Sequence, residues 1–216
     1  RHRIVEDNRD RWHAVGEWLD LLPPEIVQKR PTLLLALAWQ RFNQFRLSEV
    51  PPLLERVQSL ISDTTVEESL LGELDFHWGY LSIWAQGDAA TALKRLERAR
   101  NRLSDAQRVL VAETDLDLAL ARHMVGERKK AIASLESRIQ ATVLEDYVML
   151  TRLFGAQAFI FLMSGDLSRA ARAARQMRTI AEEAHNVDVV AWGDYLVAHV
   201  DLQSFQLEEA LRGFML

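Results

Sequence analysis

The stretch "MSGDLSRA" at residues 163–170 has a close counterpart, "MVGERKKA", at residues 124–131. In the first stretch Gly165 is followed by Asp166, and Ala170 stands five residues after the glycine. The second stretch repeats this order of glycine, acidic residue and alanine 39 residues earlier. Because recurrence at a fixed period of roughly 20–50 residues is typical of solenoids and other repeat proteins, this motif predicts a repeat fold.

The same arrangement recurs along the chain. Its turn positions are separated by 42, 39, 39 and 40 residues, at Phe45, Gly87, Gly126, Gly165 and Phe205. Glycine tolerates the positive φ that ends a helix, an acidic residue is favourable at the start of the next helix, and a small residue lets two helices approach. Phenylalanine replaces glycine in the first and last turns. Each turn is predicted to join the two helices of a hairpin.

Apolar residues between the turns recur at helical spacing, and no stretch alternates as a strand would. The sequence predicts an all-α fold, a right-handed solenoid of antiparallel helix hairpins that is tetratricopeptide-like, with repeats of about 40 residues. We expect one domain, residues 1–216, with entry helices in 1–29 and hairpins at roughly 30–61, 65–103, 105–142, 144–185 and 187–216. Stacking completes a core that no hairpin can bury alone.

Helix ends support this division. Thr64 with Glu67, and Ser104 with Gln107, have the form of a capping box, and a helix is expected to end just before Asn186. Pro31 suits the first position of a helix. Because Pro51 and Pro52 fall at the start of another helix, we expect that helix to begin irregularly.

Composition limits the function classes. The net charge is −5 and the pI about 5.7, so we expect no direct contact with nucleic acid. The chain has no cysteine and no apolar run long enough to span a bilayer, so we expect a cytoplasmic protein without a membrane anchor. It begins at Arg1 rather than methionine, and we expect it to be a piece of a larger protein.

Residues 18–61 carry a more specific pattern. A helix ending Trp-Leu is followed by Leu-Pro and then by an Arg-Pro-x-Leu helix start, in Trp18, Leu19, Leu22, Pro23, Arg30, Pro31 and Leu33. This pattern resembles the opening of the tetratricopeptide-like sensor region in large ATP-dependent LuxR-type transcription regulators, a family that includes the maltose-regulon activator. The resemblance implies an ATP-binding region upstream and a helix-turn-helix downstream. This chain contains no phosphate-binding Gly-x-x-x-x-Gly-Lys-Ser/Thr loop, so we expect no cofactor in it.

No catalytic motif is present. The histidines show no metal-binding spacing, there is no cysteine nucleophile, and Gly-x-Ser-x-Gly does not occur. We therefore expect neither an enzyme nor a metal site.

A binding surface is expected instead, on the concave side lined by the first helix of each hairpin. The tetratricopeptide register, which the resemblance implies, places on it Trp39, Phe42, Asn43, His77, Trp84, Glu113, His123, Arg152, Phe159, Trp192, Tyr195 and His199. Aromatic rings beside hydrogen-bonding groups suit a saccharide or a peptide. The alternative is that these rings are packing between hairpins.

Two further surfaces stand out. The first helices of the hairpins are net acidic and the second helices net basic, the latter including Arg169, Arg172, Arg175 and Arg178. These arginines could dock an acidic neighbour or simply be solvated partners of nearby carboxylates. The last segment presents Leu211, Phe214, Met215 and Leu216 with nothing after them to cover them, so we expect possible self-association there.

The predicted function is signal sensing in a bacterial LuxR-type regulator. A small-molecule inducer such as a saccharide, or a partner protein, would bind the concave face and shift the parent protein between two states. The alternative is a tetratricopeptide-like protein–protein scaffold that binds no small molecule.

Overall fold

The computed structural model describes residues 3, 6, 11–61 and 67–215. Those residues are all-α, with no strand among them. The chain forms two compact units, residues 1–114 and residues 115–216. The predicted division into five hairpins of a single domain stays a prediction.

The described residues form twelve α-helices, of which the first two are short. In chain order the helices are α1 (Trp12–Asp20), α2 (Pro24–Val27), α3 (Pro31–Asn43), α4 (Val50–Ile61), α5 (Glu68–Trp84), α6 (Ala89–Arg102), α7 (Arg108–Met124), α8 (Arg128–Ala141), α9 (Tyr147–Met163), α10 (Leu167–Glu183), α11 (Val187–Gln203) and α12 (Leu207–Phe214). In the first unit α1 packs on α3, α3 on α4 and α5, and α5 on α6. In the second unit α9 packs on α8, α10 and α11, α10 on α11, and α11 on α12.

Every predicted turn has a residue with positive φ. The φ values are +56° at Phe45, +67° at Gly87, +90° at Gly126, +72° at Gly165 and +60° at Phe205. After four of them, the next backbone N–H bonds to a carbonyl five residues earlier, as in Asp166 N to Phe161 O at 2.9 Å, while after Gly87 the Asp88 N–H reaches one residue further, to Ser82 O at 2.7 Å. This is the Schellman ending of a helix, and it is made with or without glycine.

The residues after each turn also behave as predicted. The small residue five positions on is buried in all five turns, at Val50, Ala92, Ala131, Ala170 and Ala210. Asp88 and Asp166 cap the next helix by accepting the backbone N–H three residues later, from Thr91 and Arg169. The two hydrogen bonds give the acidic residue a role beyond its charge.

The helix ends agree with most of the sequence signals. Pro31 is the first residue of α3, and a 3-10 turn at Leu47–Glu49 makes the start of α4 irregular, as expected. The Gln107 side chain accepts the Ser104 backbone N–H at 3.3 Å, as in a capping box. Glu67 makes no side-chain capping bond, and Thr64 lies outside the described residues.

A sixth turn of the same kind was not predicted. His185 has a φ of +54°, and Asn186 N bonds to Ala181 O at 2.9 Å. The helix before it ends at Glu183 as expected, and Asn186 caps α11 by accepting the Val189 N–H. Asparagine is a good N-cap residue, so Asn186 marks a helix start as well as the preceding end.

Candidate functional site

The aromatic side chains of α3 and α5 form a compact group that we call the closed cluster: Trp39, Phe42, Phe76, His77 and Tyr80. The ring centroids of Phe42 and Tyr80 lie 4.4 Å apart, those of Phe42 and His77 5.1 Å, and those of Trp39 and Phe76 5.8 Å. All but the half-buried Tyr80 are buried. Three predicted site residues, Trp39, Phe42 and His77, are therefore part of a core.

A buried acidic residue lies beside this cluster. Glu73 is one helical turn before His77 on α5, and its Oε1 is 3.8 Å from His77 Nε2. The guanidinium of Arg3 forms an ion pair with Glu73 and donates to the Thr32 carbonyl at 3.1 Å. The charged Glu73 thus gains in Arg3 the partner that a buried carboxylate needs.

The environment sets the protonation of both buried groups. Burial alone would raise the pKa of Glu73, but the Arg3 charge and the neighbouring His77 outweigh it and lower that pKa to about 2. Burial lowers the pKa of His77. Neither ring nitrogen of His77 has a hydrogen-bond partner within the described ranges. At neutral pH the pair is therefore a carboxylate beside a neutral imidazole.

Asn43 and Trp84 lie at the margin of the closed cluster. The half-buried Asn43 donates from Nδ2 to the Trp39 carbonyl at 2.8 Å, which fixes it within its own helix. The Trp84 ring lies 5.9 Å from that of Tyr80, and 40% of Trp84 is exposed. Trp84 therefore extends the row of rings from the core to the surface.

Four predicted residues on α7 and α9 occupy separate environments. Glu113 and His123 are both half-buried, and burial, followed by the charge of Arg128, lowers the pKa of His123. Arg152 Nη1 lies 3.4 Å from Thr151 Oγ1. Phe159 packs against a buried core of α9, α10 and α11 that includes Ala158, Met177 and Leu196. The Phe159 ring therefore contributes to packing within the core.

The remaining predicted residues form a second group, which we call the open cluster: Trp192, Tyr195 and His199 on α11 with Phe214 on α12. Ring centroids lie 5.3 Å apart for Trp192 and Tyr195, 4.5 Å for Tyr195 and His199, and 5.1 Å for His199 and Phe214. Exposure is 38% for Trp192, 41% for Tyr195 and 42% for Phe214. Every pair meets edge to face, so the rings remain in contact with solvent as well as with one another.

The helices that carry the open cluster are acidic. α11 carries Asp188, Asp194 and Asp201, and α12 carries Glu208 and Glu209 against Arg212 alone. Asp194 forms an ion pair with Arg178 at 3.2 Å, and Glu209 one with Arg212 at 2.9 Å. The aromatic rings therefore lie on helices whose own side chains sum to a negative charge.

The sequence-based prediction missed several members of these groups. Phe76 and Tyr80 lie eight and four residues before the predicted Trp84, and Glu73 lies four before the predicted His77. Helical spacing could therefore have placed the three missed residues on the stripes of α5 that carry Trp84 and His77. Phe214 was predicted to be exposed but not to join a site. Its contact with Tyr195 and His199 depends on how α12 packs against α11.

Within the described ranges no group of three or more His, Asp or Glu residues could hold a metal ion. None of the described helices is both long enough and apolar enough to cross a membrane. The chain matches no family model, and no curated protein or solved structure matches it significantly.

Proposed function

We propose that this chain is the signal-receiving region of a LuxR-type, ATP-dependent transcription regulator, with its hairpins stacked as a right-handed solenoid. The signal is received when a segment of a partner protein binds the open cluster. Binding then shifts the parent protein between two states, because the segment has a higher affinity for one of them.

The exposure of the open cluster is the observation that carries this proposal. Four rings lie within 4.5–5.9 Å of their neighbours, and three of them, Trp192, Tyr195 and Phe214, are 38–42% exposed. Rings of this size are usually buried when they serve packing alone. Exposed aromatic groups of this kind are enriched in protein interfaces. The cluster therefore fits a surface that is covered only in a complex.

Charge and extent favour a peptide segment over a compact solute. Acidic residues on α11 and α12 attract lysine and arginine, and aromatic faces bind such cations directly. The exposed apolar side chains of Leu207, Leu211 and Met215 continue the surface along α12. A segment that presents apolar side chains on one face and basic side chains on the other matches both the apolar surface and the acidic charge. An amphipathic helix that binds in a groove is such a segment.

Two observations support the family part of the proposal. α1 ends at Asp20, just after the Trp18-Leu19 pair, and α3 begins at Pro31 of the Arg-Pro pair, as the resembling pattern requires. α9 packs against α11 as well as against its own hairpin partner α10, which is the contact that stacked hairpins make. The coding sequence on either side of this region should encode a Walker-type loop upstream and a helix-turn-helix downstream.

The test is binding of a synthetic amphipathic Leu/Lys peptide, measured by calorimetry, with a Leu/Glu peptide of the same length as the comparison. We expect the basic peptide to bind and Trp192→Ala to remove the binding. Trp84→Ala is the matched control, because Trp84 is 40% exposed against 38% for Trp192 but lies at the margin of the closed cluster. Equal binding of both peptides, or equal loss in both variants, would contradict the proposal.

The alternative is a tetratricopeptide-like scaffold that binds proteins and no small molecule. The exposed apolar row of Leu207, Leu211 and Met215 favours it, because an extended row suits a long segment better than a pocket ligand. Thermal unfolding with a panel of oligosaccharides and amino acids tests for a small-molecule inducer, which a scaffold would not bind. A ligand at a hundred times its Kd adds about 2.7 kcal/mol of stability, so an inducer would raise Tm by a few degrees and a scaffold would show no shift.

A further inference from the structure

The interface between α5 and α6 holds one buried carboxylate beneath three arginines, which we call the arginine cluster: Arg95, Arg98 and Arg102 around Asp75. The Asp75 side chain is 7% exposed. Its Oδ1 accepts from Arg98 Nη2 at 2.8 Å and from Arg95 Nη1 at 3.3 Å, and its Oδ2 accepts from Arg102 Nη1 at 2.9 Å. The three guanidiniums therefore converge on a single point.

Close helix packing holds this arrangement in place. Gly72 and Gly79 flank Asp75 on the same face of α5. A Cβ at Gly72 would come within 2.9 Å of the Leu103 backbone nitrogen, and one at Gly79 within 2.7 Å of Leu96 Cγ. The two helices are therefore in near contact on either side of Asp75, and the arginines are organised before any ligand arrives.

The charges of the cluster do not balance. Three guanidiniums face the single charge of Asp75, which leaves an excess of two positive charges. Arg102 Nε also lies 3.1 Å from Glu68 Oε2, but the Glu68 side chain is 70% exposed and so is a weak, solvated partner. In the second unit Asp194 pairs with one arginine, Arg178, within the part of the chain that the structure describes. One arginine suffices for such a carboxylate, so the other two need another explanation.

The arginines also retain hydrogen-bond donors. Asp75 and Glu68 occupy one nitrogen of Arg95, two of Arg98 and two of Arg102, out of three on each guanidinium. The side chains are 35%, 51% and 36% exposed, respectively. No other partner of these three arginines lies among the described residues. The unused N–H groups therefore lie on half-exposed side chains that share one anchor.

We propose that the arginine cluster binds the phosphate group of a small anionic solute. A phosphate carries up to two negative charges, which matches the excess of two, and its oxygens can accept from more than one guanidinium at a time. A carboxylate would only repeat the interaction that Asp75 already supplies. This site shares no residue with the open cluster and does not depend on the proposed function.

The test titrates inorganic phosphate into the protein and follows the arginine Nε–H resonances by NMR, with sodium chloride added to keep the ionic strength constant. We expect saturable shifts at Arg95, Arg98 and Arg102 that chloride does not reproduce. In Arg95→Gln, phosphate affinity should fall about tenfold, the loss expected for one charge-assisted hydrogen bond. Arg95 is the best site because its single contact with Asp75 is the weakest of the set.

Arg172→Gln on α10 is the matched control, because it also removes one exposed positive charge from the second helix of a hairpin. It should leave phosphate affinity unchanged. Asp75→Asn should raise the affinity severalfold if the protein folds, since it removes the competing charge. If Asp75→Asn does not fold, the phosphate affinity of Arg102→Gln tests the proposal independently. Equal responses to phosphate and chloride, equal loss in Arg172→Gln, or tighter binding of a short polyglutamate would overturn the proposal.

Discussion

The closed cluster and the open cluster are built from similar side chains but differ in what covers them. Both place a tryptophan and a histidine on helices of the same predicted register. In the closed cluster α3 contributes Trp39 and Phe42 while α5 contributes three more rings, so two aromatic surfaces cover each other. In the open cluster α11 contributes three rings and α12 only Phe214.

The difference shows that a repeat position predicts which helix a residue is on but does not fix its burial. Phe42 is 1% exposed and Tyr195 41% exposed, although both were assigned to the same surface. Burial depends on the size of the side chains that the neighbouring helix offers, and the repeat motif does not specify them. The two clusters should therefore respond differently to substitution.

Replacing a ring in each cluster is the strongest test of this difference. Phe42→Ala should lower the free energy of unfolding by about 3–5 kcal/mol, because it leaves a cavity in a buried core. Trp192→Ala should cost about 1 kcal/mol or less, since the side chain is already partly in water. Urea unfolding followed by circular dichroism measures both. Similar costs would show that the open cluster is as closed in solution as the other.

Acid should destabilise the closed cluster in particular. The lowered pKa of Glu73 means that its stabilising effect is complete above about 4.5 and is lost as the pH falls towards about 2. The lowered pKa of His77 acts in the same direction below the ordinary histidine pKa of 6.5, because the unfolded chain takes up the proton first.

Glu73→Gln should therefore cost about 3 kcal/mol at neutral pH, the equivalent of the shift from 4.5 to about 2. Between about pH 2 and pH 4.5, the free energy of unfolding of Glu73→Gln should depend less on pH than that of the unmodified protein. Urea midpoints measured across the acid range test this. Asp188→Asn, on the helix of the open cluster, is the control and should keep the pH dependence of the unmodified protein. If both variants lost that pH dependence, it could not be attributed to Glu73.

The smallest effect is expected in the turn that leads into α12. Phe205 has a φ of +60° and is 88% exposed, so Phe205→Gly should remove backbone strain with little loss of packing and stabilise the protein by about 1 kcal/mol. Gly165→Ala, at a turn with the same backbone, should destabilise by about the same amount. Thermal unfolding compares the two variants, and a destabilised Phe205→Gly would mean that the ring is held by contacts that outweigh the strain.

The backbone of this protein could be predicted from its sequence in some detail. Five turn residues, the buried small residue after each and the irregular start of α4 all follow from local rules for glycine, proline and capping residues. The turns at Phe45 and Phe205 were also predicted correctly. The spacing of the turns identified them, although phenylalanine itself does not favour a positive φ. The Thr64 capping signal stays untested, since Thr64 lies outside the described residues.

The side-chain groups could be predicted only in part. Trp192, Tyr195 and His199 lie together, as their common register predicts, but Phe214 joins them through the packing of α12, which local rules do not give. The arginine cluster was missed because Asp75 and its partners are 20–27 residues apart, and only the close approach of α5 and α6 at Gly72 and Gly79 brings them together.

The shared ending of the helices has a consequence for how such a chain can diverge. In five of the six turns the same pair of main-chain groups closes the helix, whether the left-handed residue is glycine, phenylalanine or histidine. Since main-chain groups are common to every residue type, mutation can erase the glycine from one copy of the motif without moving the helices around it. A search profile that weights glycine at this position would pass over half of these turns, because three of the six left-handed residues are not glycine.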